Sequence, residues 1–278
     1  MKFGSSAINK VMLGSTQVDA VYVGSTKVWP LASSGYVAPD YVTTGIQMYY
    51  NPADPSSYSG SGTTLADLSG NGYDGTLVNA PIFDTSYFRH NGTSSQYIYS
   101  PDMVSSFNST TSFTVEIWYA PNYTVQGAGG TVLSENGESD PDTGWRYSVI
   151  EHRKAPFGSL SYDYAGIWNT GNTITAVNPP ATFNNLVWRC QTLTYDGTNG
   201  RIYTNGALGR TVAVARQVPW NSGSGYRLLM GAGCVTQQSG AGANYFTGNI
   251  GIVRAYNRAL TQAEVTQNFE GARAIYGL

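Results

Sequence analysis

Four acids, Glu135, Glu138, Asp140 and Asp142, crowd one Gly- and Pro-containing stretch, while Glu116 and Glu151 sit inside runs that alternate like β-strands. Paired carboxylates are the chemistry of glycoside hydrolysis, about 5 Å apart for retention and roughly 6.5–9.5 Å apart for inversion. Along a strand, only residues two or four apart share a face. Those places around Glu116 hold Thr114 and Trp118, and those beside Glu151 hold Val149 and Arg153. Neither strand carries a pair, and the 135–142 cluster reads as a solvated turn. Acids from different strands can still meet, which keeps a polysaccharide depolymerase as the alternative reading. No Ser-His-Asp arrangement or phosphate-cradling Gly loop stands out. His90, His152, Cys190 and Cys234 lack zinc spacing, and the two cysteines read as buried free thiols. Asp67, Asn71 and Asp74 are spaced like an oxygen-donor loop for structural calcium, but Asx turns explain the same spacing. The expectation is turns, with no catalytic residue, no cofactor and no metal.

Binding chemistry has more material. Aromatic faces stack on the C–H-rich surfaces of sugars, and amides and hydroxyls fix the orientation. Trp145, Tyr147, Tyr162, Tyr164, Trp168 and Trp220 fall at strand ends or loops. Of these, Trp145, Tyr147, Tyr164, Trp168 and Trp220 are the expected glycan contacts. Core packing is the ordinary use of such residues in a sandwich, so each has a competing structural explanation.

The elements that must position them are strands. In 113–119, Phe113, Val115, Ile117 and Tyr119 share one face and Thr114, Glu116 and Trp118 the other. Similar runs occur at 46–50, 97–99, 145–151, 159–168, 186–195, 200–204, 227–231 and 248–256, separated by turns such as Asp196-Gly197 and Asn205-Gly206. One helix is signalled. Thr261-Gln262-Ala263-Glu264 is a capping box, Leu260 and Val265 form its hydrophobic staple, and Val265 and Phe269 continue an apolar stripe.

Composition agrees. Charged residues are 12% of the 278, about half the usual share, while Gly (33) and Tyr (21) supply turns and pleated surfaces. A net charge of −2 with no basic stripe gives no field for nucleic acid or an anionic membrane. Residues 1–5 lack the start of a signal peptide, and no apolar run approaches the ~20 residues of a spanning helix.

The first 30 residues contain a repeat. Val11-Met12-Leu13-Gly14-Ser15-Thr16-Gln17-Val18 returns ten positions later as Val21-Tyr22-Val23-Gly24-Ser25-Thr26-Lys27-Val28, followed by Trp29-Pro30. Each copy reads as a tight hairpin, which in isolation is marginal and therefore needs a partner. Residues 31–44 are small and polar, as in a linker. The repeat resembles the N-terminal module of many phage tail and head-appendage proteins, which implies attachment to a particle, with Val11, Leu13, Val21, Tyr22, Val23, Val28 and Trp29 as docking residues.

The remainder resembles the laminin-G-like, concanavalin-type jelly-roll superfamily. The segments are Asp67-Leu68-Ser69-Gly70-Asn71-Gly72 with Gly75-Thr76-Leu77, then Phe113-Thr114-Val115-Glu116-Ile117-Trp118. They continue with Leu193-Thr194-Tyr195-Asp196-Gly197 and Ile202-Tyr203-Thr204-Asn205-Gly206. The last are Gly248-Asn249-Ile250-Gly251, then Ala255-Tyr256-Asn257-Arg258-Ala259-Leu260-Thr261 and Glu264-Val265. The resemblance implies an all-β antiparallel sandwich whose last strand returns beside its first. The superfamily includes glucanases, which the missing in-strand acid pair argues against here.

Together these readings divide the chain into an attachment module at 1–30, a linker at 31–44 and a sandwich at 45–278. The expected function is a non-enzymatic virion protein, on capsid, tail or fibre, displaying a lectin-like sandwich toward host-surface glycans. A tail-fibre receptor-binding lectin is the close alternative. Expected partners are other phage structural proteins, sister copies in a homo-oligomer such as a trimer, and a host glycan.

Overall fold

The computed structural model describes residues 2–3, 6–7, 12–13, 16–17, 21–23 and 26–29, then 38–103, 106, 112–122, 130–136, 148–154, 161–168, 174–176, 185–215, 227–234, 242–243 and 245–278. The chain divides into two compact units, Met1–Ala38 and Pro39–Leu278.

The first unit is built from hairpins. β1 (Lys2–Phe3) pairs with β2 (Ser6–Ala7), β3 (Met12–Leu13) with β4 (Thr16–Gln17), and β5 (Val21–Val23) with β6 (Thr26–Trp29). Phe3 opposes Ser6, Leu13 opposes Thr16 and Val23 opposes Thr26, so each hairpin closes over two residues in the same register. The repeat therefore has three copies rather than the two read from sequence. The first, Lys2-Phe3-Gly4-Ser5-Ser6-Ala7-Ile8, escapes a pattern search because Ser and Ala replace Thr and its polar neighbour. Among the described residues, each hairpin is a two-stranded sheet of its own.

The second unit contains β7 (Ile46–Tyr50), β8 (Thr64–Leu65), β9 (Gly75–Val78), β10 (Ile82–Asp84), β11 (Tyr87–Asn91), β12 (Tyr97–Tyr99), β13 (Phe113–Pro121) and β14 (Gly130–Asn136). It continues with β15 (Ser148–Lys154), β16 (Ser161–Trp168), β17 (Ile174–Ala176), β18 (Arg189–Tyr195), β19 (Asn199–Thr204) and β20 (Ala207–Ala213). The last strands are β21 (Arg227–Met230), β22 (Gly233–Cys234), β23 (Gly242–Ala243) and β24 (Thr247–Tyr256), followed by helix α1 (Gln262–Ala272) and a 3-10 turn, Arg273–Tyr276. Among the described residues, two eight-stranded sheets result. The first runs β10-β11-β24-β13-β18-β19-β20, with β7 also paired to β24. The second runs β17-β16-β15-β14-β21-β12-β9-β8. The strand pairs within both sheets are antiparallel, and β24 does return beside β7. This is the expected all-β, concanavalin-like sandwich with one short C-terminal helix.

Strand β13 shows why the sandwich has three layers on one side. Its Phe113, Val115, Ile117 and Tyr119 enter the core between the sheets, beside Met48, Leu193, Met230 and Val253. The opposite face of β13 is equally buried, because α1 and the 3-10 turn cover it. Trp118 stacks on Phe269 (centroids 5.5 Å, 5° between planes) and on Tyr276 (4.9 Å). The helix starts where the capping box sets it. Thr261 accepts from the Glu264 amide, and Glu264 accepts from the Thr261 amide (2.8 Å). Leu260 and Val265 are both buried in one cluster with Val42 and Tyr256, as a staple requires.

Residues 31–44 read as a linker by composition, but the last of them belong to the second unit. Val42 is buried (7% exposed), and its amide donates to Asn268 Oδ1 at 2.8 Å.

Candidate functional site

Glu116, the single acid within its strand, is closed off. Glu116 stands opposite Arg254 across β13 and β24. Arg254 Nη1 donates to Glu116 Oε1 at 2.5 Å, and both side chains are 0% exposed. Asn268 of α1 donates to Glu116 Oε2 and to Tyr256 Oη, each at 3.0 Å. The Arg254 guanidinium lies over the rings of Tyr49 (4.9 Å) and Tyr41 (5.3 Å). Burial works against the Arg254 charge, yet the Glu116 carboxylate and Tyr49 outweigh it and raise its pKa further. A carboxylate locked between a guanidinium and an amide beneath a helix has no route to a polysaccharide. Cys190, on the same covered face, is a free thiol whose pKa is raised by burial and by the Glu116 charge.

The Asp67 loop is organised by bonds within itself and to the backbone of β7. Asp67 Oδ1 accepts from the amides of Tyr49 and Ser69, and Oδ2 from Ser69 Oγ and the Tyr73 amide. Asp74 Oδ1 accepts from the Asp67 amide, and Asn71 Nδ2 donates to the carbonyls of Ile46 and Gln47. The Asp67–Ser69 bond is the Asx turn expected here, and the others tie the loop to β7 and across itself.

On the second sheet, the face of β12 and β21 away from the core carries a tyrosine group whose centre, Tyr97 and Leu229, is itself buried. Ile98 of β12 points into the core opposite Met230, so Tyr97 and Tyr99 take the other face, beside Leu229 of β21. Tyr97 lies 6.2 Å from Tyr99 and is stacked on Tyr245 at 6.3 Å. Val78 and Ala232 complete this apolar group, and Tyr99 and Tyr245 stay half-buried. Burial first, then the neighbouring phenols of Tyr245 and Tyr99, raise the Tyr97 pKa, so its hydroxyl stays neutral at ordinary pH. Arg227 places its guanidinium 5.6 Å over the Tyr99 ring and donates to the Ser100 carbonyl at 3.3 Å. The group thus combines aromatic faces, phenolic hydroxyls and a partly exposed cation, the materials of sugar recognition.

Of the contacts expected from sequence, only Tyr164 and Trp168 have a described backbone, and it lies away from this group. Tyr164 and Trp168 are in β16 of the same sheet, alternating with Ala165 and Ile167 of the core. Backbone pairing sets Tyr164 opposite Glu151 and Trp168 opposite Ile174, and β15, β14 and β21 separate them from β12. Their side chains lie outside the described residues, as do Trp145, Tyr147 and Trp220. The side chains of Leu13, Val21, Tyr22, Val23, Val28 and Trp29, and the whole of Val11, are likewise outside.

Tyr97, Tyr99, Tyr245 and Arg227 were not among the expected contacts. The alternation Tyr97-Ile98-Tyr99 was the available signal, since one aliphatic between two tyrosines puts both phenols on the face opposite the core. A second aromatic group was also missed. Tyr87 meets Trp188 edge-on at 5.3 Å, and Trp188 lies 4.2 Å from Tyr276 at the edge of the helix-covered face.

Comparison with known proteins follows the architecture. Trypanosoma rangeli sialidase in complex with sialic acid superposes with a TM-score of 0.55 at 15% identity, covering 87% of this chain and 35% of that one. The binding domain of Paraclostridial Mosquitocidal Protein 1 gives 0.54 at 15% identity, covering 82% and 52%. Domain 4 of AbnA, a GH43 extracellular arabinanase from Geobacillus stearothermophilus, in complex with arabinotriose, gives 0.51 at 18%, covering 80% and 97%. At such identities the likeness is one of fold, and this chain spans about a third of the sialidase and half of the mosquitocidal structure. A search of curated proteins gives no match. The Laminin G 3 family profile, described as concanavalin A-like lectin/glucanases superfamily, matches residues 91–266, more than half of the 278. The chain belongs to the concanavalin A-like lectin/glucanases superfamily.

Proposed function

We propose that this protein is a phage virion component, docked by its N-terminal hairpins and presenting a lectin-like sandwich that binds host-surface glycans without cleaving them. The observation that carries the reading is the division of the chain into two dissimilar units. Among the described residues, one holds three separate two-stranded hairpins, each marginal by itself; the other is a sandwich with its own core. Such hairpins gain stability by burying their strands against a neighbour, and symmetric particle sites supply identical neighbours to several copies. The resemblance of residues 11–29 to phage attachment modules fits this use.

Glycan binding is supported by the tyrosine group beside Arg227 on the second sheet. It is also supported by fold neighbours that carry sugars, namely the arabinanase domain with arabinotriose and the sialidase with sialic acid. Glu116, sealed under α1, favours binding over hydrolysis.

Deletion of residues 1–30 tests the docking half. The remaining sandwich is expected to fold, shown by a cooperative thermal transition, and to be lost from purified particles. Normal incorporation of the truncated chain would overturn the assignment. Incubation with host capsule or exopolysaccharide tests the rest, and a rise in reducing ends would replace binding with depolymerisation.

A further inference from the structure

The five residues Asp40–Thr44, which lead into β7, are gripped along their length. The Asp40 carboxylate accepts from Gln267 Nε2 (3.2 Å). Tyr41 packs on Tyr49 at 4.6 Å, with the Arg254 guanidinium over both rings. The Val42 amide is held by Asn268 Oδ1, and the Val42 side chain is buried with Leu260 and Val265. The Thr44 carbonyl accepts from Arg258 Nε at 2.9 Å. Most of these partners belong to α1 or to the turn before it. The fit is tight enough that a Cβ on Gly271 would collide with the Asp40 carbonyl oxygen and the rest of its peptide group. Gly271 is therefore required for close approach of two backbones rather than for a turn.

We infer that Asp40–Thr44 is a latch, a strap clamped by α1 that ties the chain's entry into the sandwich to its closing helix. Asn268 is the pin. Its carbonyl oxygen takes the strap amide, while its amide nitrogen is spent on Glu116 and Tyr256. The strap is thus wired into the buried Glu116–Arg254 pair instead of resting on a surface. A pull arriving from the N-terminal side meets this clamp before it reaches β7, so the hydrogen bonds between β7 and β24 are shielded from it. The latch stands whether or not the sandwich binds sugar. It gives a docked particle protein a fixed anchor where composition alone suggests a loose leash.

Native-state hydrogen exchange on the full chain tests it. The Val42 amide is expected to exchange as slowly as amides of the β13–β24 ladder. Gly271→Ala is expected to speed Val42 exchange by about tenfold or more while leaving that ladder protected, since one buried hydrogen bond and its packing are lost locally. Unprotected exchange at Val42 in the unmodified chain would overturn the latch, and so would an unchanged rate in a folded Gly271→Ala protein. Should the variant fail to fold, the measurement on the unmodified chain still decides.

Discussion

His90 enters the core on β11 with no charge and little room. Its Nδ1 lies 3.2 Å from the Gln96 carbonyl, and the ring sits so close to Gly231 that an added Cβ there would be 2.8 Å from it. Burial lowers its pKa from 6.5 to about 4. The unfolded chain therefore takes up this proton near 6.5 while the folded chain resists until about 4. Stability is expected to fall by roughly 3 kcal/mol as pH drops across that window, a loss that His90→Phe should largely remove. Denaturant midpoints measured between pH 7 and 4 check this, and parallel curves for the two proteins would contradict it. Glu264 behaves oppositely. The Arg258 hydrogen bonds and those from Thr261 lower it from 4.5 to about 2, so its contribution is full above about 4.5 and is lost as pH falls from there toward 2.

The Glu116–Arg254 pair makes a second claim at this scale. Removing one partner leaves an uncompensated charge in a dry layer, so Glu116→Ala is expected to cost about 3–5 kcal/mol. Replacing both partners with apolar side chains, as in Glu116→Leu with Arg254→Met, is expected to recover most of that loss. Urea unfolding of the three proteins gives the comparison, and a loss under about 1 kcal/mol for the single variant would show that the site rehydrates.

At the scale of elements, what could be read in advance was whatever depends on neighbours in sequence. The two faces of β13, the capping box at Thr261 and the Asx turn from Asp67 to Ser69 all follow from residues within a few positions of one another. The cap also yields a modest prediction. Thr261→Ala should lower stability by about 1 kcal/mol, read as a shift in the thermal midpoint, with no shift marking a cap without effect. What sequence hid depends on long-range contact. Alternation put Glu116 on the face away from the core but could not reveal that a helix some 150 positions later lies on it. Polar composition marked 31–44 as a linker because the strap's partners, Gln267, Asn268 and Arg258, lie more than two hundred positions away. Arg227 and Tyr99 meet only because β21 pairs with β12, a register that no local pattern encodes.

For the whole molecule, the asymmetry between the two units matters most. The second unit buries a continuous core and covers part of one outer face with α1, whereas the described residues of the first unit form separate two-stranded hairpins. The tyrosine group on the second sheet, rather than an acid pair, is then the expected point of contact with a glycan. The direct measurement is an array of host-type polysaccharides probed with residues 39–278, unaltered and carrying Tyr99→Ala or Arg227→Ala. The account predicts saturable binding to a subset of glycans, weakened by about tenfold or more in both variants while their unfolding transitions stay intact, as expected on losing a stacking or cationic contact. Absence of binding to any glycan, or binding that both variants leave unchanged, would contradict it.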